Sequence, residues 1–189
     1  MTDRSSVQIA LFAALIAALG LAPNFAVPVM GGVPITLQNL GVMLTGVLLG
    51  WKRGSLAVLL FLFLVALGLP LLSGGRGGLG VFSGPTVGFL VGWFFAAGVT
   101  GFLMEKLTSL PVFWAALLAG VVGNILLLYA LGIPGVSLVA GIPLDKAILG
   151  SAVYIPGDLL KVILTGFVAQ ALWRASPSKV PSFAARLKA

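Results

Sequence analysis

Charged residues divide the sequence into long uncharged stretches, and those stretches predict membrane-crossing helices. The first runs over Val7–Ala22 and is kept as a mature span, since no secretory cleavage site follows it. Pro23, Pro28, the Gly31-Gly32 pair and Pro34 break the next segment into an uncharged loop. A second span is predicted over Thr36–Gly50, a compact basic turn at Trp51-Lys52-Arg53-Gly54, and a third span over Ser55–Leu69, which Pro70 ends. The glycine-rich segment Ser73–Gly84 reads as a loop. Pro85 suits the first turn of a helix, so a fourth span is predicted over Pro85–Met104, capped by Glu105-Lys106. A fifth runs over Pro111–Leu131. Gly132–Pro143 reads as another loop. The sixth ends at Trp173-Arg174, and Pro156 either begins it or kinks it.

Composition sharpens this picture. Of 189 residues, 60% are apolar and 8% charged, against about 45–50% and 25% in soluble domains. That excludes an ordinary soluble domain, a disordered chain and a nucleic-acid-binding domain. Glycine, at 26 residues, is about twice its usual share and suits close helix contacts in lipid. Six spans of about 20 residues leave room for short loops only. The expected fold is therefore all-α: one six-helix transmembrane domain over 1–174, followed by a loose basic cytoplasmic tail over 175–189.

Charge placement gives the orientation. Six spans put Arg4, Lys52, Arg53, Lys106, Arg174, Lys179, Arg186 and Lys188 on one side, and Arg76 and Lys146 on the other. The more basic side faces the cytoplasm, so both termini are expected there, in a multi-pass protein of the bacterial cytoplasmic membrane. The net charge of +7 is then a topology signal and does not imply nucleic acid. Loops 23–35, 70–84 and 132–143 fall on the external side, where they can cover a pocket.

The chain has no His and no Cys. That removes disulfides, thiolate and His-based catalysis, and His or Cys metal sites. Its acids are Asp3, Glu105, Asp145 and Asp158, and no Gly-Lys dipeptide opens a P-loop. No enzyme, cofactor or metal is expected.

Asp158 and Lys161 interrupt the uncharged run Ala147–Trp173. Each charge near a helix centre costs about 2.5–3.5 kcal/mol on insertion scales, and such residues usually mark a site in the bundle interior. Asp158 lies about 15 residues from Trp173, or roughly 23 Å along a helix, in the outer third of the membrane. Lys161 shares its face. The pair offers an acceptor and a cation, which suits a ligand bearing N–H donors and an anion, although a self-satisfied structural pair has the same pattern. Asn124, Tyr129, Tyr154, Thr36, Gln38 and Arg76 are the other polar candidates, with Asn39 beside Thr36 and Gln38 in the polar start of the second span. Their alternatives are helix-to-helix hydrogen bonding for Asn124, an interfacial belt for the tyrosines, capping for Thr36, Gln38 and Asn39, and plain solvation for Arg76.

Two small-residue stripes complete the pattern: Ala10, Ala14, Ala18 and Ala22 in the first span, and Gly84, Gly88, Gly92 and Ala96 in the fourth. Both fit internal packing, and the first equally fits docking of another membrane subunit.

Three segments then resemble a known family. VPITLQNL at Val33–Leu40, GGRGGLGVFSGPTVGFLVG at Gly74–Gly92 and PGDLLKVIL at Pro156–Leu164 resemble the biotin-specific S-component of energy-coupling-factor (ECF) vitamin transporters, the BioY family. The resemblance covers nearly the whole chain. It implies a six-helix subunit that binds biotin near the external face, with Asp158 and Lys161 taking part. It also implies that the alanine stripe of the first span meets a transmembrane coupling subunit served by paired ATPases. Val87 and Phe89 stand where the family commonly has Gly and Tyr, so no hydroxyl contact passes to Phe89. The residues leave open a stand-alone carrier of biotin or another small organic acid, which would take up its ligand without ATPases.

Overall fold

The computed structural model describes residues 3–188 of the chain; Met1, Thr2 and Ala189 lie outside them. Among the described residues, seven α-helices and one small hairpin form in the order α1 (Asp3–Leu19), β1 (Phe25–Val27), β2 (Val33–Ile35), α2 (Gln38–Ala66), α3 (Val87–Lys106), α4 (Val112–Gly120), α5 (Leu128–Ala140), α6 (Leu144–Ser151) and α7 (Ile155–Ala175). A π-helical stretch, Val121–Leu127, joins α4 to α5 without a break. Among the described residues, four continuous helical segments are long and apolar enough to cross a membrane: 38–66, 87–106, 112–140 and 144–175; α1 is shorter and also apolar.

Gly50 divides the first of these four. Its backbone, at φ 79° and ψ −179°, is not helical, and L-residues with a side chain rarely adopt such a φ. The chain reverses there. A Cβ on Gly54 would touch the Cα of Gly46, whereas an unbroken helix would hold residues eight apart about 12 Å from each other. The basic segment Trp51–Gly54, expected as the turn, is instead the first helical turn of the returning half. Glu105 on α3 steadies it: its Oε1 accepts the Trp51 backbone N–H at 3.2 Å, satisfying an amide left free at a helix start.

Two further expectations are corrected. Residues 132–140, read as loop from Gly132, Pro134 and Gly135, are helical. Those glycines exist for contact. Gly88 of α3 and Gly135 of α5 abut so closely that a Cβ on either would strike the other's backbone, which is how small residues bring helices together in lipid. The Gly88–Gly92 stripe is therefore internal packing. Segment 23–35, read as plain loop, forms an antiparallel hairpin with Val27 opposite Val33.

The tail is not loose. Phe183 is fully buried and packs edge-on against Trp173, with ring centroids 5.2 Å apart. Ser182 Oγ donates to the Val47 carbonyl. Arg186 donates to the carbonyls of Leu107 (2.6 Å) and Leu110 (2.7 Å), in the turn between α3 and α4, and burial holds its guanidinium below the usual arginine range.

Two large buried apolar layers result, with a small cluster of Ile9, Leu49 and Ala57 beside them. One, including Val47, Met104, Ala116, Ala169 and Phe183, fills the end closed by the tail. The other, including Met30, Val33, Phe61, Trp93 and Tyr129, lies beneath the hairpin. Large apolar side chains such as Phe63, Phe95, Trp114 and Phe167 stay exposed on the helix exteriors, as a lipid-facing surface requires.

Candidate functional site

A cavity opens beneath the hairpin, at the end opposite the tail. Its walls come from Val33–Thr36, the start of α2, the 67–86 loop, the first turns of α3, the start of α5, and the junction of α6 with α7. These elements meet because the hairpin folds back over the bundle: Gly31 reaches Ala140 and Pro85, and Met30 reaches Gly150.

The polar centre is Asp158. Its Oδ1 accepts from Lys161 Nζ at 2.8 Å and from Asn39 Nδ2 at 3.2 Å, and its Oδ2 accepts from Tyr129 Oη at 2.7 Å. The ion pair is local, three residues apart on α7, and both side chains are more than nine-tenths buried. Asn39 and Tyr129 come from α2 and α5, so three helices converge on one carboxylate. The arrangement is not closed on itself. Lys161 spends one of three ammonium protons on Asp158, and among the described residues no other acceptor meets them. Asn39 Oδ1 is buried without a partner. Buried polar atoms are normally satisfied, so donors and an acceptor here are left for an occupant of the cavity.

Of the residues singled out in the sequence, Thr36, Gln38, Arg76, Tyr129, Tyr154, Asp158 and Lys161 all line the cavity, although several have their polar atoms engaged elsewhere. Gln38 is the clearest case: its Nε2 donates to the carbonyls of Ile16 (3.1 Å) and Leu71 (3.0 Å), and its Oε1 accepts from Ser73 N (2.8 Å). Its amide ties α1 and the 67–86 loop to α2. Thr36 Oγ1 accepts the Gln38 N–H, a capping role. Tyr154 Oη donates to the Val33 carbonyl at 2.8 Å and so fastens the hairpin to the α6–α7 junction. Arg76 donates through Nε to Ser73 O at 3.2 Å; burial lowers its pKa from the ordinary arginine value.

Asn124 is placed elsewhere. It sits in the π-helical stretch, a turn deeper than Tyr129, and its Nδ2 donates to Thr100 Oγ1 on α3 at 2.9 Å. It is a helix-to-helix bond and not part of the cavity wall. Asn39, by contrast, reaches Asp158 from 119 positions away, and Phe89 and Trp93 form an apolar wall. Phe89 lies edge-on to both Tyr129 and Tyr154, with centroids 6.2 and 6.3 Å away. A polar residue at the start of a span was the available signal for Asn39; the aromatic wall carried none beyond general hydrophobicity. Ala10, Ala14 and Ala18 are exposed on α1, whose buried residues are Ser5, Ile9, Ala13 and Ile16. Among the described residues, no three of His, Cys, Asp and Glu gather into a metal-binding group.

The cavity combines a buried cation, a carboxylate, an unpaired amide oxygen and an aromatic wall, as small-molecule pockets do. Comparison with known proteins agrees with that reading. The profile of the BioY family matches residues 1–178. The chain is 53% identical over 185 residues to the biotin transporter BioY of Rhodobacter capsulatus, covering 93% of this chain and 96% of that one. It is 48% identical to the biotin transporter BioY of Rhizobium etli, covering 94% and 97%. A crystal structure of the S-component for biotin from an ECF-type ABC transporter superposes with a TM-score of 0.84 at 34% identity, covering 92% of this chain and 95% of that one. The chain thus has the fold of an ECF S-component, with several membrane-crossing helices, and its relatives are transporters rather than enzymes. On the family profile, the relatives and the fold together, it belongs to the BioY family.

Proposed function

We propose that this chain captures biotin in the cavity around Asp158 and is the substrate-binding subunit of an ECF-type uptake system. The observation that carries the reading is the buried Asp158–Lys161 pair, which faces the cavity with ammonium protons and the neighbouring Asn39 Oδ1 unspent. Biotin has the complementary groups. Its ureido ring offers two N–H donors, for Asp158 and Asn39 Oδ1. Its valerate carboxylate suits the free protons of Lys161, with Arg76 as the second cation on the wall. Its apolar bicycle and chain suit Phe89, Trp93 and the tyrosine rings.

The wider arrangement is part of the proposal. The helix divided at Gly50 supplies two of six spans, both termini lie in the cytoplasm with the tail, and the cavity faces outward. Domain 1–174 holds the ligand, and 175–189 closes the cytoplasmic end. The outward face of α1 carrying Ala10, Ala14 and Ala18 docks a transmembrane coupling subunit, and paired ATPases on that subunit drive import through the cytoplasmic membrane. The Lys and Arg distribution supports the orientation.

Titration of the purified protein with biotin and with biotin methyl ester tests the ligand assignment. A hydrogen bond to a charged group contributes about 1.5–3 kcal/mol, a factor of roughly 10–150 in affinity. Wild type is expected to prefer the acid by at least about tenfold, and Lys161→Met to lose that preference. Asp158→Asn should weaken acid and ester alike. No binding of either compound by wild type refutes the biotin reading; a preference retained in Lys161→Met moves the carboxylate to Arg76.

A further inference from the structure

On the outside of the bundle, a second concavity runs between the returning half of α2 (51–66) and α3. Its floor is made of small residues, Ser55 and Gly98; its rims are the exposed Leu59, Phe95 and Phe102, with Trp51 at one end. The Ser55 hydroxyl reaches the Phe94 carbonyl at 3.4 Å, so the floor presents little but carbon. Among the described residues no element fills this groove, and in a membrane an apolar groove of this kind is filled by hydrocarbon.

The charges at the Trp51 end are unequal. Glu105 is turned inward to the Trp51 N–H, and Arg53 donates to Gln8 at 3.2 Å. Lys52 and Lys106 remain, exposed, with no acid paired to either among the described residues. Their ammonium groups lie over the rings of Trp51 (5.2 Å) and Phe102 (5.6 Å), which holds both cations at the mouth of the groove. From this juxtaposition we propose a bound phospholipid: one acyl chain lies between α2 and α3, and an anionic headgroup sits between Lys52 and Lys106. Basic clusters where helices meet the interface recognise such headgroups. The inference rests on the membrane setting and not on the ligand of the cavity.

The test uses the full-length protein in nanodiscs of equal parts phosphatidylglycerol and phosphatidylcholine, with retained lipid read by native mass spectrometry. Each lysine near the surface is expected to favour the anionic lipid by roughly fivefold, so wild type retains phosphatidylglycerol. Lys52→Gln with Lys106→Gln should abolish the preference, and Lys52→Arg with Lys106→Arg should keep it. Val99→Trp, which fills the groove, should lower retention of both lipids. Melting curves establish that each variant is folded. Equal retention of the two lipids by wild type, a preference surviving the double Gln variant, or full retention in Val99→Trp overturns the assignment. So does a dimer with no retained lipid, the signature of a second copy of the chain in the groove.

Discussion

Replacing Lys161 by Met tests the electrostatics of the site most directly. The substitution keeps length and apolar bulk but deletes the cation 2.8 Å from Asp158. Asp158 is left with two neutral donors, Asn39 Nδ2 and Tyr129 Oη, at a position more than nine-tenths buried. Breaking a buried pair on one side costs about 3–5 kcal/mol, out of a total stability of about 5–15 kcal/mol. For a chain of this size each kcal/mol moves the midpoint by about 2–4 °C, so Lys161→Met should melt roughly 6–20 °C below wild type. Lys161→Met combined with Asp158→Asn removes both charges while keeping an acceptor oxygen, and should recover most of the loss. The assay is thermal unfolding of the detergent-purified protein without ligand, followed by tryptophan fluorescence. A single variant melting within about 2 °C of wild type, less than 1 kcal/mol, refutes the reasoning. So does a double variant no more stable than the single one, because the damage then is not an unpaired carboxylate.

Gly50→Ala forces a side chain to a φ near +79° and into Glu105; the backbone alone costs about 1–3 kcal/mol, so the melting temperature should fall by at least a few degrees in the same assay. Phe183→Ala empties a fully buried site against Trp173, and the usual cost of about 3–5 kcal/mol should appear as a comparable drop; an unchanged midpoint would show that the tail does not hold the bundle. Ala14→Trp adds bulk to an outward-facing position of α1. It should abolish co-purification with a coupling subunit while leaving biotin titration of the isolated chain unchanged, and loss of titration instead would make the stripe an internal surface.

The sequence was informative where physics is local. Charge gaps located the apolar helices, because a membrane tolerates few charges, and the same rule made Asp158 and Lys161 conspicuous on α7. Helix ends were harder. Gly132, Pro134 and Gly135 have poor helix propensity, yet the contact of Gly135 with Gly88 holds that segment helical, and no reading of one strand of sequence contains the facing helix. The charges at 51–54 suggest a turn a few residues after the actual reversal at Gly50, which backbone conformation decides. The tail is hard to read for a related reason: its composition is polar and basic, but Ser182, Phe183 and Arg186 anchor it through partners on other elements. At the site, residue type identified most of the polar positions of the wall and none of its apolar ones. It did not separate Gln38, whose amide is spent on backbone, from Asn39, whose oxygen is not.

The three donors on Asp158 come from α2, α5 and α7, separated by up to 119 positions. None of these helices holds the centre alone, so the cavity exists only once the bundle has closed. Occupancy and assembly are then one thermodynamic quantity. A ligand that binds only the closed bundle adds RT ln(1 + [L]/Kd) to its stability, about 2.7 kcal/mol at a hundredfold excess over Kd. Vitamin supply during growth would therefore set how much of the chain survives in the membrane as well as how much cargo it carries, and ligand added during extraction would be expected to raise the yield of folded protein.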